Sequence, residues 1–209
     1  MLAHSVANIS VHECGHAVTY MAVFGLIPLQ LKSKIASSYA GGFTFPHEVH
    51  MTRQSILDII KVYLAGGLAE ELVFGVENCS TGRSNDRERA TVYAIDFVRR
   101  FGIDDEFKAN YTLIDAHAMN KHETDTDIEK MLARLEAETK EILGKNKSLL
   151  MALSQKLMQS GELDATTIKS IAYAHGVSAR IENEGYLHIE DFARRMTLEV
   201  EGADRASVL

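Results

Sequence analysis

The spacing of apolar positions changes character along the chain, and each change marks an element. From Ser5 to Phe24 the apolar residues form no single stripe: Val6, Ala7, Ile9, Val11, Ala17, Val18, Tyr20, Met21, Ala22, Val23 and Phe24 surround the axis. Such a pattern predicts a buried helix, stopped by Gly25 with Pro28 beyond it. Leu29 to Ile35 alternates apolar and polar and predicts a half-buried strand. Gly41-Gly42-Phe43-Thr44-Phe45 predicts a second short strand, ended by Pro46. No other β structure is expected. Thr52 is placed to cap a helix over 53–74, with Gly75 at its end. After a polar loop over 77–82, Ser84 is expected to cap a helix reaching Phe101.

Residues 103–125 show no period and are expected to be irregular surface. Over 127–143, Ile128, Met131, Leu132, Leu135 and Ile142 share one face of an amphipathic helix. Gly144-Lys145-Asn146 breaks it, 149–158 forms the next helix and Gly161 closes that one. Asp164 is placed to cap a helix over 165–175, and 189–196 predicts a last short helix before a polar tail. The expected fold is mainly α: a small β-sheet, an N-terminal part over 1–125, and a C-terminal helical hairpin within 126–209, together one compact unit.

Inside the apolar first helix lies His12-Glu13-Cys14-Gly15-His16. Buried histidines and a glutamate are costly unless bonded or coordinating. Histidines at i and i+4 stand on one face and can share a metal ion, with the glutamate beside them as general base. A zinc ion there would bring the pKa of a bound water to about 7, and hydrolysis follows, most often of a peptide bond. A chance HExxH on a polar, solvated helix is the bland alternative; the apolar flanks argue against it.

Charge and composition narrow the classes. A net charge of −7 over 209 residues disfavours nucleic acid as the main partner. No uninterrupted apolar run is long enough to span a bilayer, and the first residues lack the basic start of a signal peptide. Two cysteines, Cys14 and Cys79, without CxxC, suit a reducing, cytoplasmic setting better than a disulfide framework. The histidines at 47, 50, 117, 122, 175 and 188 lack ligand spacing and read as surface or packing residues.

A catalytic zinc needs a third protein ligand. The metzincin extension is absent, because Thr19 and Ala22 stand where its glycine and third histidine would be. Acidic candidates are Glu70 or Glu71, in Ala65-Gly66-Gly67-Leu68-Ala69-Glu70-Glu71, and Asp86, in Ser80-Thr81-Gly82-Arg83-Ser84-Asn85-Asp86. Asp86 has an ordinary explanation in the first turn of its helix, where negative charge is favoured. The glutamates have theirs as helix surface charges. The Gly66-Gly67 pair, costing roughly 1 kcal/mol per glycine in a helix, suggests close approach to the first helix. Spacing alone does not choose among these acids.

Three ordered motifs, HECGHAV, YLAGGLAEELVFG and STGRSNDRERAT followed by FVRRFG, resemble the peptidase domain of the FtsH family of ATP-dependent zinc proteases. That family reads HEAGHAV, GGRAAEEIVFG and TGASND-ERAT. The resemblance is close over 5–102 and looser over 128–171. It implies a helical metalloprotease domain with Zn²⁺ on His12, His16 and Asp86, Glu13 as base, and Glu70 or Glu71 as outer partner of a ligand. It also implies an edge strand beside the active-site cleft, at Gly41, Gly42, Phe43, Thr44 and Phe45, that pairs with extended polypeptide substrate.

The implied activity is zinc endopeptidase action on unfolded or flexible polypeptides. No GxxxxGK[ST] phosphate loop and no transmembrane anchor occur in these residues, so the chain reads as a stand-alone peptidase or a fragment, with an AAA ATPase supplied in trans. The resemblance implies hexamers. The alternative is a non-catalytic, zinc-stabilised module that assembles with an ATPase or protease partner. Cys14 and Arg83 both stand where the family has alanine. Cys14 is expected to be a small buried residue rather than a ligand.

Overall fold

The first helix is apolar all round because it is covered on several sides. In the computed structural model, which describes residues 3–33, 42–44, 48–114, 121–182, 186–187 and 191–206, α1 (Ala3–Phe24) packs against α2 (Arg53–Phe74) and, further along the chain, α6 (Lys147–Ser160). Gly25, at φ 64°, lets the chain turn away after Phe24. α2 begins with a reciprocal cap: Thr52 Oγ1 accepts from Ser55 N at 3.1 Å while Ser55 Oγ accepts from Thr52 N at 2.7 Å. α3 (Ser84–Arg99) and α5 (Lys121–Lys145) close the other side of α2, with the short α4 (Tyr111–Ile114) between them. One apolar cluster joins Val18, Leu68, Phe97, Leu135, Leu150 and Ile168, so the C-terminal helices share the core of the N-terminal ones.

The small sheet has three strands. β1 (Gln30–Lys32) lies in the middle, antiparallel to β2 (Gly42–Thr44) on one side and to β4 (Glu162–Asp164) on the other. Leu31 pairs in register with Phe43 and Leu163, and Leu31 and Leu163 are both buried. β4 was not expected from the sequence. It is a three-residue stretch that follows Gly161, left-handed at φ 81°, and ends on Asp164, the N-cap of α7 (Ala165–Ala174), too short to show an alternation of its own. A second unforeseen pairing joins β3 (Glu48–Val49) to β5 (Tyr186–Leu187) in parallel. Gly41 and Phe45, the ends of the expected second strand, lie outside the described residues.

Other expectations shift at their edges. Ser84 is not a cap: its φ of −64° and ψ of −43° are helical, and Arg83 precedes it as the terminal residue of a single tight turn over 81–83. Capping falls to Ser80, whose Oγ accepts from Gly82 N at 3.3 Å. α5 starts at Lys121, inside the segment expected to be irregular, because Thr124 is buried and bonded to Arg99. The last helix, α8 (Phe192–Ala206), runs ten residues past Met196 instead of giving way to a polar tail, since the i, i+4 apolar spacing of Phe192 and Met196 continues to Val200. No helix among the described residues is long and apolar enough to cross a membrane.

Candidate metal centre

His12 and His16 share one face of α1, one turn apart, with ring centroids separated by 4.8 Å. α2 crosses that face at Gly66. A methyl group on Gly66 would stand 2.5 Å from His12 Nε2 and 2.6 Å from His16 Nε2. Gly15 makes the matching concession from α1, since its Cβ would meet the Ala69 methyl at 2.6 Å and the Ala65 carbonyl oxygen at 2.7 Å. The paired helices therefore approach closely only because both carry glycine there.

Each ring is oriented by its second nitrogen. His16 Nδ1 donates to the Val62 carbonyl at 2.7 Å, and His12 Nδ1 donates to Glu70 Oε1 at 2.6 Å. Both Nε2 atoms turn toward Asp86 Oδ2, at 3.0 Å from His12 and 3.3 Å from His16. Asp86 comes from the first turn of α3. The three ligand atoms lie within 4.8 Å of one another. Two imidazoles with Nδ1 held by acceptors, plus a carboxylate, form a donor set that fits a divalent zinc ion with one position open. The Asp86 side chain is 23% exposed against 11% and 7% for the two histidines, so water reaches the cluster from its side.

The charges favour a cation here. Burial alone would lower the proton affinity of His12, but the bonds to Asp86 and Glu70 and the nearby charge of Glu13 raise its pKa to about 9. Burial would raise Glu70, yet the bonds from His12, Asn8 and Ser80 push it down to about 2. Asp86 is held below the usual carboxylate range by His12 and His16 despite its partial burial. Glu13 is buried beside His12 on α1.

Glu70 and Glu71, which spacing could not separate, face different partners. Glu70 is fully buried; besides His12 it accepts from Asn8 Nδ2 at 3.0 Å, Ser80 N at 2.7 Å and Ser80 Oγ at 3.1 Å. Glu71 pairs with Arg83 at 2.8 Å and Lys140 at 3.2 Å, not with a histidine. Cys14 is fully buried in the core toward Ser154 of α6, where burial pushes its thiol up, and it stands apart from the ligand cluster. His50 packs against Phe192, His175 bonds to Ser148, and His122 is exposed; His47, His117 and His188 lie outside the described residues. Sequence reasoning overlooked Asn8, although it sits four positions before His12 and so on the same face of α1. It also overlooked Ser80 and Val62; a backbone carbonyl leaves no trace in side-chain spacing.

The model of Peptidase family M41 matches residues 3–171. This chain belongs to that family. As an M41 peptidase it is similar to an ATP-dependent zinc metalloprotease FtsH of Lachnoclostridium phytofermentans, 31% identical over 175 residues, covering 79% of this chain and 29% of that protein. A second FtsH, from Alkaliphilus metalliredigens, is 31% identical over 169 residues, 77% of this chain and 28% of its own length. An ATP-dependent zinc metalloprotease YME1 homolog of Schistosoma mansoni is 38% identical over 95 residues, 44% of this chain and 14% of its own length. The M41 chain thus spans under a third of the length of these relatives.

Proposed function

We propose that this M41 chain is a zinc-dependent endopeptidase that cleaves unfolded or flexible polypeptides. The convergence of His12 Nε2, His16 Nε2 and Asp86 on one point, with Glu13 buried beside it, carries the reading. His12, His16 and Asp86 would hold the ion, which supplies Lewis-acid polarisation of the scissile carbonyl and acidifies water. Glu13 takes a proton from the attacking water and returns it to the leaving amine. Glu70 and the Val62 carbonyl keep both imidazoles in the tautomer whose Nε2 lone pair points inward. β2 runs beside α1 with β1 on one side only among the described residues. The backbone of Gly42, Phe43 and Thr44 is therefore suited to add a substrate strand on its other side, recognition that tolerates many side chains.

The relatives are named as ATP-dependent, and an ATPase supplied in trans, with assembly into hexamers, is the corresponding expectation for folded substrates. The decisive experiment is Glu13→Gln. The variant should bind one zinc per chain yet lose casein cleavage by about 10²- to 10⁴-fold, the range of a lost general base. Undiminished cleavage would remove Glu13 from the mechanism. Zinc binding by the unaltered chain with no cleavage of casein, with or without an ATPase and ATP, would instead favour the non-catalytic module.

A further inference from the structure

Two consecutive pairs on α2, Gly66-Gly67 and Glu70-Glu71, lie one turn apart and divide their work. Gly66 gives space to the ligand imidazoles and Glu70 bonds to one of them. Gly67 gives space to Arg83 instead: a Cβ on Gly67 would lie 2.8 Å from Arg83 Nε and 3.1 Å from its Cβ and Cζ. Glu71 then receives the end of the same side chain, with Arg83 Nη1 at 2.8 Å.

These contacts hold the segment that delivers Asp86. Its start is fixed where Ser80 N and Oγ donate to Glu70. Its end is fixed where Arg83 lies across Gly67 and pairs with Glu71, three residues before Asp86. Arg83 and Glu71 side chains are only 24% and 14% exposed, so solvent screens this pair less than the rim pairs around it. The arrangement continues outward: Lys140 bridges Glu71 and Glu136, and Glu136 pairs with Arg87, the residue after Asp86. Arg87 is 47% exposed, which makes it the weaker of the two anchors flanking Asp86.

We propose that Arg83 is a positioning residue: packed over Gly67 and paired with Glu71, it sets the turn that presents Asp86 to His12 and His16, and thereby how tightly the site holds zinc. The proposal rests on the reading of Asp86 as the third ligand. Arg83 touches neither the ion nor substrate; it acts through the backbone between positions 83 and 86. Glu71 acquires a role through Arg83, distinct from the direct bond that Glu70 makes to His12.

The test is zinc affinity, measured on the full chain by competition with a chelating dye, alongside thermal melting. Arg83→Ala should weaken zinc binding about tenfold, within the range lost when an outer partner of a metal ligand is removed. Arg83→Lys, which restores a cation but not the planar fork, should recover part of the loss. Gly67→Ala removes no charge and improves helix propensity, yet it should also weaken zinc binding by displacing Arg83. Its effect should shrink when Arg83 is already alanine, because only the 3.1 Å approach to the Cβ of residue 83 then remains. Asp86→Ala separates the positioning role of Arg83 from the ligand role of Asp86. If it weakens zinc binding strongly while Arg83→Ala, folded by its melting curve, binds as the parent does, the positioning role is overturned alone. If Asp86→Ala binds zinc normally, the ligand reading and this proposal fall together. Gly67→Ala at parental affinity also overturns the proposal, and it does so even if Arg83→Ala fails to fold.

Discussion

α1 and α8 invert the usual relation between sequence pattern and position. α1 is apolar nearly all round and shows little amphipathic contrast, yet it carries buried polar groups: Ser10, His12, Glu13, His16 and Thr19. α8 has a clear apolar stripe through Phe192, Met196 and Val200, yet these residues are 42%, 66% and 56% exposed. A polar residue inside a covered helix is costly without a partner; among the described residues Thr19 Oγ1 bears that cost, buried with no hydrogen-bond partner, whereas His12 and His16 are bonded. Around His12 and His16 the partners are specific in distance and direction. On α8 the apolar residues make no such demand, and the helix takes no substantial part in the helix packing of the described residues. Removing a partner should therefore be expensive around α1, and removing a whole element should be cheap at α8.

The largest effect on zinc affinity is expected at Gly66. An alanine there places a methyl group within 2.6 Å of both Nε2 atoms, so either the rings or the helices must move. Overpacking of this kind costs about 1–3 kcal/mol. Both histidines shift together, so if they hold the ion as proposed, zinc affinity should fall by at least about 100-fold, the upper end of what a lost supporting contact does. Equilibrium dialysis with metal analysis reads this directly. An alanine variant that binds zinc at the parental affinity would show that α1 and α2 need not approach closely for the site to form.

Glu70→Ala comes next. It takes the acceptor from His12 Nδ1, Asn8 Nδ2 and Ser80 N at once. Breaking a buried charged network by removing one member costs about 3–5 kcal/mol, which for a chain of this size lowers the melting temperature by roughly 2–4 °C per kcal/mol. Glu70→Gln keeps an acceptor oxygen and should lose distinctly less. Equal losses for the two variants would mean that the charge, and not the bonding geometry, accounts for the effect of Glu70.

Much of the α1–α2 region was legible in the sequence because its constraints are local. Thr52 begins α2, Gly75 ends it, and the cost of Gly66-Gly67 pointed to a close crossing with α1. What the sequence left open is long-range. Glu70 and Glu71 are adjacent and chemically identical; only the crossing geometry of α1 and α2 sends one to His12 and the other to Arg83. Ser84 looked like a cap because serine favours that position, but the tight turn over 81–83 moved the cap to Ser80. β4 escaped notice for a related reason: Leu163 is buried by pairing with Leu31, more than a hundred positions away, and three residues cannot display a period.

The smallest effect should come from deleting α8. Phe192 against the His50 ring, with centroids 5.7 Å apart, is its aromatic contact to the rest of the chain, and a ring pair of this kind contributes about 0.5–1.5 kcal/mol. The apolar residues that follow are already more than half in water, so their removal takes little buried area from the core. Truncation after residue 190 should therefore lower the melting temperature by no more than about 6 °C and leave zinc affinity unchanged, since among the described residues the candidate metal group and the groups that bond its histidines all lie at or before Asp86. The apolar cluster takes Ala172, Val177, Ala179 and Ile181 from the segment before α8 but no described residue of α8 itself, consistent with a core that closes without the last helix. A fall of about 10 °C or more, equivalent to several kcal/mol, would show that α8 covers the core in solution. The contrast with α1 would then reflect where the helix sits, and exposure along its apolar stripe would no longer separate the two regions.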